Sequence, residues 1–345
     1  MTTLEGVWFE STTALATELA ATQPIEPDVR EEPVRADPTQ PQSFADFVGQ
    51  AEVVRLLRTE VEAARRERRS LSHMLLYGPP GVGKTALAFV LAGEMGNLPI
   101  YESSGAEFSN QTDVLAAAGS IGRLFDVTGK PIVWIIDEAD GMTRVASYPL
   151  HTLMTHGYVQ WRGERYGGVP VTVLATTNHI ARVPRALKSR FNEIVLIDYY
   201  GPSELAEIAR RSAARMGFSL KDDAAAFIGE NAAGEPRKVN RRILRGIANL
   251  LDGRTVADLD TAREALKLSG LRPKGLTRSQ FEYLSFLAAC EDHTAGINSI
   301  SAFLSEDPAD VRDHEAFLIR SGFVTVTRGG RKLTDKGQSY LLAPA

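Results

Sequence analysis

The 345-residue chain has one cysteine, Cys290, so no internal disulfide can staple it and a reducing cytoplasmic compartment is the expected one. Long apolar runs are missing as well. No stretch approaches the roughly 18 consecutive apolar residues that a membrane span needs, so no transmembrane segment is expected. The opening M-T-T-L-E-G-V-W-F-E lacks the basic stretch and apolar core of a secretory signal. A surplus of positive charge is absent too: the net charge is -4. Residues 1–45 hold eight acidic and two basic side chains, which leaves +2 for the other 300. Any contact with nucleic acid must therefore come from local basic patches.

What is present is a globular composition, 43% apolar and 24% charged, long enough for two or three domains. Residues 1–42 read as a flexible acidic tail, since the first 45 residues carry five of the 17 prolines and little apolar surface. From Ser43 the pattern changes, and the stretch E-V-V-R-L-L-R-T-E-V-E-A-A-R-R-E-R-R-S reads as an amphipathic helix with Val54, Leu57 and Val61 on one stripe. Three short apolar runs follow, H-M-L-L-Y-G, P-I-V-W-I-I-D and V-T-V-L-A-T-T-N, separated by helical stretches. This alternation predicts an α/β domain with a parallel sheet over 43–200. Beyond Tyr200 the strand patterns stop, and Leu205, Ile208, Ala209, Ala213 and Met216 recur at helical spacing, so 201–270 is expected to be an all-helical lid. Residues 271–345 read as three short helices and a Gly-Gly hairpin, the composition of a winged helix.

The chemistry begins at Gly78-Pro79-Pro80-Gly81-Val82-Gly83-Lys84-Thr85, with Ala86 opening the next helix. A glycine-rich loop between a strand and a helix lets backbone N–H groups close round phosphates at a helix N-terminus. Lys84 would reach the β- and γ-phosphates, and the Thr85 hydroxyl would ligate Mg²⁺. Fifty residues on, Asp137 and Glu138 end a buried strand, where ligands of open α/β sheets sit. Asp137 would hold the Mg²⁺ shell through water and Glu138 would activate the attacking water. Thr177 and Asn178 end the third strand and could bond the water or the γ-phosphate, or simply cap a turn. Arg190 has no obvious partner within its own strands. Arginines donated across a subunit boundary neutralise transition-state charge in this chemistry; the alternative is an ordinary surface arginine. Arg237, after Pro236 at a helix start, could sense the γ-phosphate from the lid.

Five motifs, the phosphate loop, D-E, T-T-N, S-R-F and G-E-P-R, stand in the order of the AAA+ ATPases. The stretches F-A-D-F-V-G-Q, P-R-A-L-K-S-R-F, G-E-P-R-K-V-N-R-R-I-L-R and D-P-A-D-V-R-D-H-E-A-F-L-I-R-S-G-F narrow the resemblance to the RuvB family of Holliday-junction branch-migration motors, from about Ser43 to Tyr340. That resemblance implies ATP as nucleotide, a homo-oligomeric, hexameric ring around duplex or four-way junction DNA, Arg190 acting on a neighbour's ATP, Arg237 as second sensor and Tyr200 near the adenine. A RuvA-like adaptor is the family's partner, but the segment H-G-Y-V-Q-W-R-G-E-R-Y-G-G-V-P is shorter than the hairpin that docks it. That segment still reads as a hairpin with Tyr158, Val159 and Trp161 on a tip, as a contact surface or as packing under the lid. Arg328, Arg331 and Lys332 in the last hairpin are the candidate DNA-phosphate ligands, Arg331 aligning with a family wing arginine. The competing classes are an AAA+ loader or switch that assembles another protein on DNA, and a protein remodeller with no nucleic-acid role.

Overall fold

A computed structural model describes residues 37–343; the acidic tail falls outside them, apart from its last six residues. Among the described residues no helix is long and apolar enough to cross a membrane.

Helix α1 (Ala51–Glu67) buries Leu57, Val61 and Ala64, while Val54 lies at the margin of the core. The core-facing row therefore runs one turn further on than the expected stripe. Strand β1 (Met74–Tyr77), helix α2 (Lys84–Glu94), β2 (Ile100–Ser104), α3 (Gln111–Thr128), β3 (Ile132–Asp137), α4 (Arg144–His156), β4 (Tyr158–Trp161), β5 (Glu164–Gly167), β6 (Val171–Thr177), the single turn α5 (Arg185–Lys188) and β7 (Glu193–Leu196) complete the first unit. Its sheet is parallel with strand order β2-β3-β6-β1-β7. Register pairs Tyr77 with Thr177 and Ile136 with Ala175, so β1, β3 and β6 end at the same edge. Three of these strands were expected; β2 and β7 were not. Both are edge strands. No residue of β2 and only Val195 of β7 is buried, so neither has a continuous apolar run.

The β4–β5 hairpin turns tightly at Arg162 and Gly163, both at positive φ, the two-residue primed turn of hairpins. It does not project. Val159 is buried, Trp161 and Tyr166 pack on the same apolar cluster as α3 and α4, and the Arg165 guanidinium lies 3.9 Å from the centre of the Tyr158 ring. Of the two expected readings, contact surface or packing, the hairpin takes packing, but on the domain's own core with α3 and α4 and not under the lid.

The lid comprises α6 (Pro202–Arg215), α7 (Asp222–Glu230), a one-turn α8 (Pro236–Lys238), a π-helical stretch over Val239–Leu244, α9 (Arg245–Leu250) and α10 (Leu259–Leu268). It is not wholly helical: β8 (Ser219–Leu220) and β9 (Val256–Ala257) form a short parallel pair that ties two inter-helix loops together. One apolar cluster continues from Leu57 and Leu87 through Tyr200 to Leu205 and Ile243, so the lid shares the core of the first unit.

A separate cluster built on Tyr283, Leu284, Leu287, Val311 and Leu318 organises the last unit. Here α11 (Arg278–Ala289), β10 (Thr294–Ala295), α12 (Ile297–Leu304), α13 (Pro308–Arg320), β11 (Val324–Thr327), β12 (Gly330–Leu333) and α14 (Asp335–Leu342) make a winged helix with sheet order β10-β12-β11. Strand β10 and helix α14 add to the three helices and hairpin that were expected. The junction with the lid is close. A Cβ on Gly275 would come within 2.5 Å of the Ala233 nitrogen, and the Lys238 ammonium donates to the Gly275 carbonyl at 3.1 Å.

Candidate nucleotide site and nucleic-acid interface

The loop after β1 needs glycine for a local reason. Gly78 has φ 150°, and a Cβ there would meet the Ile197 carbonyl oxygen at 1.9 Å; at Gly81, φ 78°, a Cβ would come within 3.1 Å of both the Arg237 and Glu235 side chains. Side chains at either position would push the loop off its neighbours. The loop then runs straight into α2, whose first residue is Lys84. Lys84 is 7% exposed and donates to the Gly78 carbonyl at 3.0 Å, the Pro79 carbonyl at 2.6 Å and Asn178 Oδ1 at 2.7 Å. Burial pushes its ammonium down to about 8 against the opposing pull of Asp137.

The aligned strand ends bring the rest together. Thr85 Oγ1 donates to Asp137 Oδ1 at 3.3 Å, and the same carboxylate oxygen accepts from the Glu138 N–H at 3.2 Å and from the Thr176 hydroxyl. Glu138 follows at φ 52°, a left-handed backbone that non-glycine residues seldom adopt, and its side chain is exposed at the cavity. Thr177 also borders the cavity, but its hydroxyl is engaged, donating to Asp140 Oδ1 at 2.5 Å and accepting from the His179 N–H at 2.9 Å. Of the two expected readings, Thr177 takes the turn-capping one, while Thr176, on the other side of β6 by the strand's alternation, bonds Asp137. Arg237 joins through its N–H, which donates to the Gly81 carbonyl at 3.2 Å, and Tyr200 forms a buried wall, its phenol pushed up by burial. Residues 80–86, Asp137, Glu138, Asn178, Tyr200 and Arg237 all line one cavity; Arg190 does not. Arg190 is exposed, with its Nε donating to His151 Nε2 at 2.6 Å.

In the winged helix the three candidate ligands part company. Arg328 and Lys332 are exposed on the wing and form no ion pair among the described residues. Arg331 instead turns inward, its Nε and Nη2 each 2.9 Å from Glu315, whose carboxylate also accepts from the Tyr283 hydroxyl at 3.1 Å. Its guanidinium is engaged in holding β12 to α13, which corrects the reading of Arg331 as an open phosphate ligand. Helix α13 also faces inward. Phe317 meets Tyr199 edge-on at 5.7 Å, Arg320 pairs with Asp198, and Asp313 lies 3.7 Å from His179, next to Asn178.

Residues 39–160 match the family model of the Holliday junction DNA helicase RuvB P-loop domain, and residues 273–342 match that of the RuvB C-terminal winged helix domain. The RuvB branch-migration complex subunit of Prochlorococcus marinus strain MIT 9313 is 31% identical over 90% of this chain and 89% of its own; that of Synechococcus sp. strain RCC307 is 32% identical over 90% and 91%. The chain belongs to the RuvB family. The solved structure of the Thermotoga maritima RuvB branch-migration motor superposes with a TM-score of 0.75 at 25% identity, over 89% of this chain and 99% of that one.

As a RuvB-family chain it holds several site residues that sequence patterns did not single out. Thr39, Asp46 and Phe47 line the nucleotide cavity beside Arg211 and Arg215. Arg215 binds the Asp46 carboxylate at 2.7 and 2.8 Å and the Thr39 carbonyl at 3.1 Å, so residues 37–42 form cavity wall rather than tail. The three prolines and the acids before them, with Pro38 and Pro41 among these residues themselves, masked this. Thr176 was visible only as the first of two threonines, and its role follows from register rather than from residue type.

Proposed function

We propose that this chain is an ATP-hydrolysing motor of the RuvB type, acting on duplex or four-way junction DNA in recombination and repair. The observation that carries the reading is the convergence of the buried Lys84, Thr85, Asp137 and Glu138 on one cavity that the lid closes through Arg237. In the mechanism, the loop N–H groups and Lys84 bind the β- and γ-phosphates, Arg237 carries the phosphate state to the lid, and Glu138 takes the proton of the attacking water. Tyr200 packs against the adenine. The Thr85 and Asp137 oxygens suit Mg²⁺, a hard ion that takes one or two protein oxygens and completes its shell with water and phosphate. No group of three or more acidic, histidine or cysteine side chains that could hold a metal alone exists among the described residues, in keeping with an ion that arrives with the nucleotide. Bound there, it would neutralise charge developing on the transferred phosphoryl group.

Arg190 lies away from its own chain's cavity, which supports a ring, hexameric as the family resemblance implies, where it completes the site of the next subunit. The units that pass force are taken as 43–200, 201–270 and 271–345. The contacts of α13 with Asp198, Tyr199 and His179 give the winged helix a mechanical connection to the phosphate-sensing strand end. With α13 turned inward, Arg328 and Lys332 on the wing are the DNA-phosphate contacts, and sequence-independent binding follows. A RuvA-like adaptor would meet only the polar edge of the β4–β5 hairpin, at Gln160, Arg162 and Glu164. The test is ATP turnover with and without junction DNA across a salt series. Stimulation by DNA that fades with salt supports the motor, and turnover indifferent to DNA at low salt would sink it.

A further inference from the structure

The turn α5 packs against α4, and at its end Arg190 Nε donates to Nε2 of His151 at 2.6 Å. The terminal Nη groups of Arg190 have no partner among the described residues, and its side chain is exposed. We propose that His151 is a positioning residue for Arg190: its neutral imidazole holds the Nε edge of the guanidinium so that both Nη groups face the neighbouring subunit's γ-phosphate. The proposal rests on the reading of Arg190 as the residue that acts between subunits.

The chemistry follows from the two planar groups. A guanidinium presents its donors in a rigid fork, so fixing Nε fixes the direction of the other two nitrogens. An exposed arginine otherwise samples many rotamers, few of them productive. The imidazole can accept only while it is neutral, with its proton on Nδ1. Its surroundings keep it so: partial burial, Arg190 and His156 on its own helix all push its ionisation below the ordinary histidine value. From the other packed elements, α5 brings Arg185 and Lys188, the latter turned to the Ile180 carbonyl at 3.1 Å, and the hairpin brings Arg165, held over Tyr158. No carboxylate pairs with this imidazole among the described residues. Once protonated, His151 has no acceptor left and sits as a second cation beside Arg190, so the guanidinium is released. Positioning is therefore present at neutral pH and lost on acidification through a value below about 6.5.

The experiment uses mixed assemblies of full-length subunits. Arg190→Ala subunits keep Glu138, and Glu138→Gln subunits donate Arg190, so the mixture regains ATP turnover. Replacing the donors by Glu138→Gln/His151→Phe should lower that regained turnover roughly tenfold, the scale of a lost hydrogen bond from a charged donor. Donors carrying Glu138→Gln/His151→Gln should restore it, because the amide oxygen accepts without titrating. Against unmixed His151→Gln, the unmodified chain should lose turnover selectively as the pH falls below about 6.5, with little difference between the two at neutral pH. Equal rescue by His151→Phe donors, or identical pH profiles, would overturn the role of His151 and leave the inter-subunit reading standing. Absence of rescue by plain Glu138→Gln donors would remove that reading, and the proposal with it.

Discussion

The Lys84 ammonium should make nucleotide binding sensitive to pH in a range where ordinary lysines are silent. At 7% exposure, burial lowers it to about 8, whereas in the unfolded chain it titrates near its usual value of about 10.4. A bound triphosphate stabilises the charged form, so binding at alkaline pH must take up a proton. With a free-state value of about 8, roughly nine-tenths of Lys84 is charged at pH 7 and one-tenth at pH 9, so the ATP dissociation constant should rise about tenfold between them. Calorimetric titration at pH 9 in two buffers of different ionisation enthalpy should report about 0.9 proton taken up per nucleotide. The stability of the nucleotide-free protein moves the opposite way with pH. Between about 8 and 10.4 the unfolded chain binds more protons at this group than the folded one, so its contribution to stability rises with pH, by up to about 3 kcal/mol for the nucleotide-free protein. A dissociation constant flat from pH 7 to 9, with no proton uptake, would refute the claim that the loop holds Lys84 as a desolvated cation.

Glu138→Gln should leave nucleotide affinity within about threefold but lower turnover by at least about a hundredfold, measured by equilibrium binding and phosphate release. Arg331→Ala leaves the buried Glu315 carboxylate uncompensated and should destabilise the winged helix by about 3 kcal/mol in thermal unfolding. Arg328→Ala and Lys332→Ala should leave the melting temperature unchanged, each lowering the salt slope of DNA binding by about one. Asp198→Ala removes the pair with Arg320 and should weaken DNA stimulation of ATP turnover while leaving DNA affinity unchanged, as read by comparing titrations of the two.

Much of the site was legible because its chemistry demands particular residues in particular places. The glycines of 78–83, Lys84 and Thr85 form a motif, and the D-E pair ends a run of five buried residues, Ile132–Ile136, that could only be a central strand. Edge strands were not legible: Ile100–Ser104 and Glu193–Leu196 are half solvated and carry mixed residues. The roles of Thr176 and Thr177 could be read the wrong way round, since one residue of register exchanges the faces of a strand. The wing showed the complementary failure. Arg328, Arg331 and Lys332 read as one basic patch, but Glu315, sixteen residues upstream on another element, takes Arg331 out of it. Composition counts charges; only the fold pairs them. The β4–β5 hairpin left two readings open for a related reason, and its aromatics prove apolar enough to find the domain's own core.

The most direct measurement of the motor claim is movement of a synthetic four-way junction with ATP and Mg²⁺, with Glu138→Gln subunits as the control and a RuvA-type protein added in a parallel arm. The unmodified chain should convert the junction to duplex products in step with ATP consumed, and Glu138→Gln should bind the junction without moving it. Junction binding and DNA-stimulated hydrolysis with no movement in either arm would contradict the motor and leave a loader or switch in its place.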